Sequence, residues 1–131
     1  MTTVTVPPTA FFERVVVESP YAGDIDRNMA YLRACFADCL SRHEAPIASH
    51  KLYTDIPECQ DDIPERRSFG IEAGFAWGVL ADKVVVYTDL GISSGMQRAI
   101  DFYTSANLDI EHRQLPVSVM RSWGFLEGDK K

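Results

Sequence analysis

Positive charge is scarce in this chain of 131 residues, where 13 Lys and Arg stand against 19 Asp and Glu for a formal net charge of −6. Affinity for nucleic-acid polymers comes mainly from Lys and Arg neutralising phosphates, so that class of partner is not expected. Long apolar runs are missing as well. No stretch approaches the roughly 18 residues of a bilayer-crossing helix, and the longest β-like runs, residues 15–17 and 84–87, fall far short of it. Neither a membrane span nor a membrane partner is therefore expected. The N-terminal stretch 1–10 has two prolines and no Lys or Arg, unlike the basic region and apolar core of a secretory signal. Cysteines are few and odd in number, three in all. Their spacing fits no disulfide framework, which points to a reducing, cytoplasmic setting.

What is present is the composition of a folded globular protein: 46% hydrophobic and 24% charged residues, with 7 Phe, 5 Tyr and 2 Trp. The length suits one domain, with a core over about residues 14–112 and a tail over 113–131. Val15, Val16 and Val17 predict a strand ending at Glu18. The turn Ser19-Pro20-Tyr21-Ala22-Gly23-Asp24 follows. Ile25, Met29, Leu32, Cys35 or Phe36, Cys39 and Leu40 recur at steps of three and four and predict a helix over residues 25–42, with Asp24 as its N-cap. Residues 45–49 read as a weak strand delivering His50, with Pro46 near its start.

Residues 51–64 form an acidic stretch carrying Asp55, Glu58, Asp61 and Asp62, of the length usual for a lid. A second helix opens at Pro64, with Phe69, Ala73, Ala76, Trp77 and Leu80 as its apolar stripe. Residues 83–88 are the clearest strand. Asp89-Leu90-Gly91-Ile92-Ser93-Ser94-Gly95 then turns into a third helix over 94–106, which places Met96, Ile100 and Tyr103 on one face. A last strand spans 108–112. This alternation predicts an α/β fold: a flavodoxin- or Rossmann-like three-layer sandwich with a mostly parallel sheet of four to five strands. The tail, with Val117, Val119, Met120, Trp123 and Phe125, is too apolar to be free. It is expected to pack on the domain or on a second copy, so a homo-oligomer is anticipated.

In such folds ligands bind beyond the C-terminal strand ends. The turn ending in Ser93, Ser94, Gly95 and Met96 has two readings, an anion seat of backbone N–H groups and hydroxyls or a capped helix start. Asp89 either binds a sugar hydroxyl or orders its own turn. Tyr21 is placed to stack a base, Asp24 to bond sugar or cap the helix, and His50 to contact ligand or serve structure. Glu72, in Gly70-Ile71-Glu72-Ala73-Gly74, is either an acid or base with a shifted pKa or a solvent-facing helix residue. Cys35 and Cys39 lie on the core stripe, with no second metal-ligand pair beside them, and read as packing residues. No metal or cofactor is expected.

Taken together, Ser19-Pro20-Tyr21-Ala22-Gly23-Asp24, Ser49-His50, Gly70-Ile71-Glu72-Ala73-Gly74-Phe75-Ala76-Trp77, Ala81-Asp82 and Asp89-Leu90-Gly91-Ile92-Ser93-Ser94-Gly95-Met96 resemble, in order and spacing, the nucleoside 2-deoxyribosyltransferase-like superfamily. The nearest branch is one of small proteins of unassigned function in bacteria and their phages. The resemblance spans about residues 14–112. It implies an oligomeric protein with a nucleoside or nucleotide pocket, cleaving or exchanging the base–sugar bond through a carboxylate nucleophile.

By the same resemblance Ser93 and Gly95 match the phosphate-contacting turn, Asp89 the polar residue before it and Tyr21 the first-loop pocket residue; with them Ser19, Gly23, Asp24, His50, Gly91, Ser94 and Met96 are expected to bind substrate, and Asp89 to orient the sugar. The nucleophile of the relatives does not carry over. Its place falls at Ala99 or Gln97, and Asp101 lies about 200° round the helix from Ala99. Glu72 is then the leading carboxylate. The other reading is a non-catalytic nucleotide sensor or sink.

Overall fold

The computed structural model describes residues 11–48, 52–53, 56–59 and 63–124. Among these, the chain forms β1 (Glu13–Glu18), α1 (Ile25–Ser41), β2 (Glu44–Ile47), a 3-10 turn (Pro57–Cys59), α2 (Pro64–Gly78), β3 (Lys83–Tyr87), α3 (Ser94–Ser105), β4 (Asp109–Arg113) and α4 (Val117–Ser122). The strands make one parallel sheet in the order β2-β1-β3-β4, with Val16 beside both Ile47 and Val84. Pro46 sits in the edge strand β2, where its missing N–H leaves no central ladder bond unmade. Parallel neighbours require crossover connections, which lay helices on both faces of the sheet.

Each strand sorts its side chains by alternation. Val15 and Val17 of β1, with Val85 and Tyr87 of β3, pack against Tyr31, Leu32, Cys35 and Cys39 of α1 and against Leu115 and Met120 of the tail. On the other face Val16, Val84 and Val86 meet Phe75 of α2 and Met96, Ala99 and Tyr103 of α3. The result is an α/β three-layer sandwich of the Rossmann/flavodoxin-like kind, with four strands. No described helix is long and apolar enough to cross a membrane.

Two expected helix faces are corrected. On α1 the outer members of the stripe, Ile25 and Leu40, are 46% and 53% exposed, while Asn28 and Tyr31 are buried. Both buried polar groups have partners: Asn28 Nδ2 donates to the carbonyls of Tyr21 and Ala22, and the Tyr31 hydroxyl donates to Asp89. A hydrophobic count misses residues buried by virtue of their hydrogen bonds.

On α2 the expected stripe faces outward, with Phe69, Trp77 and Leu80 63%, 59% and 68% exposed. The inner face is Gly70, Gly74, Phe75 and Gly78. A Cβ at Gly70 would press on Cys59, and one at Gly78 would collide with the Tyr103 hydroxyl. The helix therefore lies against its neighbours through bare backbone. The tail packs on its own domain through Leu115, Val119 and Met120, while Val117 is 65% exposed. Phe125 lies outside the described residues.

Candidate functional site

From β1 the chain proceeds to β2 on one side, and from β3 to β4 on the other. The loops leaving the C-terminal ends of β1 and β3 diverge there, and a crevice at such a switch point is the usual ligand position in open α/β sheets. A cleft of about 420 Å³ occupies it. Glu18 and Ser19 at the end of β1 line the cleft, with Tyr21 in the following turn, Ser93, Ser94, Gly95 and Met96 at the start of α3, and Ala99 one turn further on. Arg67, Gly70, Ile71 and Phe75 of α2 form another wall, and Tyr53, Cys59 and Arg98 complete it.

The group that sets this site apart is Glu18. Alternation turns it to the same face as Val16, among Phe75, Met96 and Ala99, and it is 4% exposed. Its Oε2 has no hydrogen-bond partner among the described residues, nor have the Oγ of Ser19 and the hydroxyl of Tyr103. Loss of water around the carboxyl lifts its pKa to about 8. At neutral pH Glu18 is therefore mostly a neutral carboxylic acid, an O–H donor at the cleft wall. Burial also raises the Tyr103 hydroxyl, with the nearby Glu18 charge adding to the shift.

At the rim, Ser93 caps α3: its Oγ accepts from Met96 N at 3.2 Å, and its own N–H donates to Met96 Sδ at 3.4 Å. The N–H groups of Ser94 and Gly95 have no acceptor within the helix, and both residues line the cleft. Cap and seat thus coexist, with Ser93 fixing the helix start and the next two residues facing the cleft. Arg67 and Arg98 add positive charge at the same opening, which suits an anionic ligand group.

Six expected binding residues meet at this cleft: Ser19, Tyr21, Ser93, Ser94, Gly95 and Met96. Others lie elsewhere. Asp24 is exposed and caps α1, accepting from Arg27 N at 3.1 Å. Gly23 and Gly91 take φ of +99° and +88° in turns and do not line the cleft.

Asp89 is turned away from the cleft. Its carboxylate accepts from the Tyr31 hydroxyl at 2.5 Å and from Leu115 N at 3.0 Å, tying the end of β3 to α1 and the tail. Glu72 is exposed and borders a separate hollow with Phe75, Ala76, Val79 and Phe102. One residue step, about 100° of helix rotation, separates Glu72 from Ile71, and the helix presents Gly70 and Ile71 to the cleft instead. His50 lies outside the described residues, as do Asp55, Asp61 and Asp62 of the acidic segment 51–64.

Sequence reasoning missed Glu18 and Arg98, both of which line the cleft. For Glu18 a signal existed: a carboxylate closing an all-valine strand just before the first turn, on the face that alternation assigns to the opposite core from Val15 and Val17.

A second buried glutamate lies on the opposite face of the sheet. Glu44, at the start of β2, is also 4% exposed. Arg113 grips it with two bonds of 2.8 and 2.9 Å, and Lys83 Nζ adds a third contact at 3.2 Å. Arg113 also reaches Glu111 and the Tyr87 hydroxyl, which donates to Asp38 at 2.6 Å. Burial pushes the Glu44 pKa up, but the Arg113 and Lys83 bonds and charges outweigh it and hold it at about 2. Cys35 and Cys39 lie in the same core, where burial raises both thiols, Cys39 to about 11. Neither reaches the cleft.

Fold and cleft define a parallel α/β sandwich with a cleft at its topological switch point, whose wall carries a buried glutamate with one oxygen unpartnered among the described residues. Residues 13–113 match the family described as Domain of unknown function (DUF7768), and the chain belongs to that family. No curated protein and no solved structure matches it.

Proposed function

We propose that the protein processes a nucleoside or nucleotide, breaking the base–sugar bond, and that Glu18 supplies the acid. The observation that carries this reading is the neutral Glu18 carboxyl, its Oε2 without a partner among the described residues, in a cleft that also holds aromatic Tyr21 and Tyr53 and a cationic, N–H-rich rim. The resemblance of the surrounding motifs to nucleoside 2-deoxyribosyltransferase-like proteins supplies the substrate class. Tyr21 and Tyr53 offer flat surfaces to a base, while Ser94, Gly95, Arg67 and Arg98 take a phosphate.

In the reaction, the Glu18 proton passes to a ring nitrogen of the base as the C1′–N bond breaks. Water then adds to C1′ and returns its proton to the Glu18 carboxylate, leaving free base and sugar. A second base in place of water gives exchange. Acid assistance of this kind contributes roughly 10²–10⁴-fold.

The test incubates the purified chain with a panel of deoxynucleosides and their 5′-monophosphates and follows free base by chromatography. Base release is expected with the wild type and a drop of about 10²-fold or more with Glu18→Gln. Equal rates for the two, or no release across the panel, overturn the enzymatic reading.

One observation favours a second reading, a binder without chemistry. Ala99, where the resemblance expects the relatives' nucleophile, stands on the cleft wall with no reactive group. Stabilisation in a thermal-shift assay without base release supports that reading, since ligand at a hundred times its Kd adds about 2.7 kcal/mol.

A further inference from the structure

The outward apolar face of α2 has no role in the cleft. Phe69 and Trp77 are 63% and 59% exposed on the helix, and Leu80 is 68% exposed two residues beyond its end. On the helix Phe69, Ala73, Ala76 and Trp77 fall at steps of three and four along a single stripe, and Leu80 extends it into the following turn. The hollow bordered by Glu72, Phe75, Ala76, Val79 and Phe102 carries the same surface across to α3, where Phe102 is 36% exposed.

The area is substantial. Aromatic side chains present roughly 150–250 Å² each, so Phe69, Trp77 and Phe102 together leave on the order of 300 Å² in contact with water. Leu80 and Val79 extend the patch into the size range that marks contact surfaces. It would form the apolar centre of an interface of roughly 800 Å² per partner.

The occupant follows from the order of residues. Phe69, Ala73, Ala76 and Leu80 read large, small, small, large from either end, which is the self-complementarity a two-fold contact requires. Two antiparallel copies crossing between Ala73 and Ala76 set each Ala73 against the other copy's Ala76, where the helices approach closely. Each Phe69 then lies over the other copy's Leu80. The same crossing brings the Arg66 end of one α2 towards the exposed Asp82 turn of the other, charges of opposite sign, and opposes the helix dipoles.

We infer that this stripe is a two-fold self-association surface, on which a second copy of this chain packs antiparallel across Ala73 and Ala76. Arg67, Gly70 and Ile71 of the same helix line the cleft, so the pairing braces one cleft wall from outside.

Sedimentation and light scattering of the full chain at micromolar concentration test the inference. The wild type is expected at twice the chain mass. Trp77→Glu and Ala76→Arg are each expected to halve it with unchanged circular dichroism. Val117→Glu, on the exposed side of the tail helix, is expected to leave the dimer intact. If Trp77→Glu and Ala76→Arg fail to fold, cross-linking decides: an oxidised mixture of Ala73→Cys and Ala76→Cys chains is expected to form disulfide-linked dimers faster than either chain alone. A monomeric wild type, a dimer that survives both Trp77→Glu and Ala76→Arg, or cross-linking no faster in the mixture overturns the inference.

Discussion

Glu18 and Glu44 are the same residue type, equally buried at 4% exposure, on opposite faces of one sheet, and they titrate in opposite directions. Glu18 has an oxygen with no partner among the described residues and a pKa raised to about 8. Glu44 is clasped by Arg113 and Lys83 and held at about 2. Burial acts the same way on both. At Glu44 the bonds and charges of Arg113 and Lys83 outweigh it, and partners of this kind turn a buried carboxyl from a neutral acid into an anion locked into the frame. The locked one ties both edge strands together, since Glu44 belongs to β2 and Arg113 to β4. The unpaired one faces a cleft.

The largest effect expected from breaking this contrast is on stability. Arg113→Met leaves Glu44 buried without its main partner and should cost about 3–5 kcal/mol in urea denaturation. A loss under about 1 kcal/mol would mean that the cluster behaves like an exposed ion pair. On the other side of the sheet, Glu18→Gln should lower base release by about 10²-fold or more while shifting stability at pH 6 by less than about 1 kcal/mol. The neutral amide replaces a neutral acid of the same shape there. A large stability loss in that variant would make Glu18 structural.

The two glutamates also set opposite pH windows. The folded-state pKa of Glu18 lies above its unfolded value of 4.5. Its contribution to stability is fully present below about 4.5 and is lost as pH rises through about 8, at up to roughly 1.4 kcal/mol per pH unit. Glu18→Gln should flatten that decline, and base release by the wild type should fall over the same upper range as the acid ionises. The folded-state pKa of Glu44 is depressed, so its contribution is present above about 4.5 and is lost as pH falls through about 2. Melting curves across both ranges, for wild type and Glu18→Gln, separate the two. An unchanged alkaline slope in Glu18→Gln would assign the decline to other groups.

The smallest effect belongs to Glu72. Exposed and outside the cleft, it should leave base release within about twofold when changed to Gln, whereas a loss matching that of Glu18→Gln would reinstate it as the acting carboxylate.

Much of the frame was legible because it follows from local rules. The valine runs at 15–17 and 84–86 mark the two central strands, Asp24 and Ser93 cap α1 and α3, and strict alternation of strand and helix forces a parallel sheet. The strand-end position of the cleft followed from the same alternation, and with it Ser19, Tyr21 and residues 93–96. Less legible was which side of a helix is inward. On α2 the inner face is Phe75 with three glycines rather than Phe69 and Trp77, and at Gly70 and Gly78 Cys59 and the Tyr103 hydroxyl come too close for a side chain. On α1 the buried residues include Asn28 and Tyr31, whose partners are remote in sequence or lie in the preceding turn.

By itself, then, the sequence determined the order of elements, the parallel sheet and the end of the sheet at which the cleft forms, since these depend on neighbours a few residues apart. The tertiary structure decided which carboxyl stands in the cleft and which is neutralised. That choice depends on whether residues such as Arg113 and Lys83, distant along the chain, come within hydrogen-bond reach of one buried glutamate and not of the other.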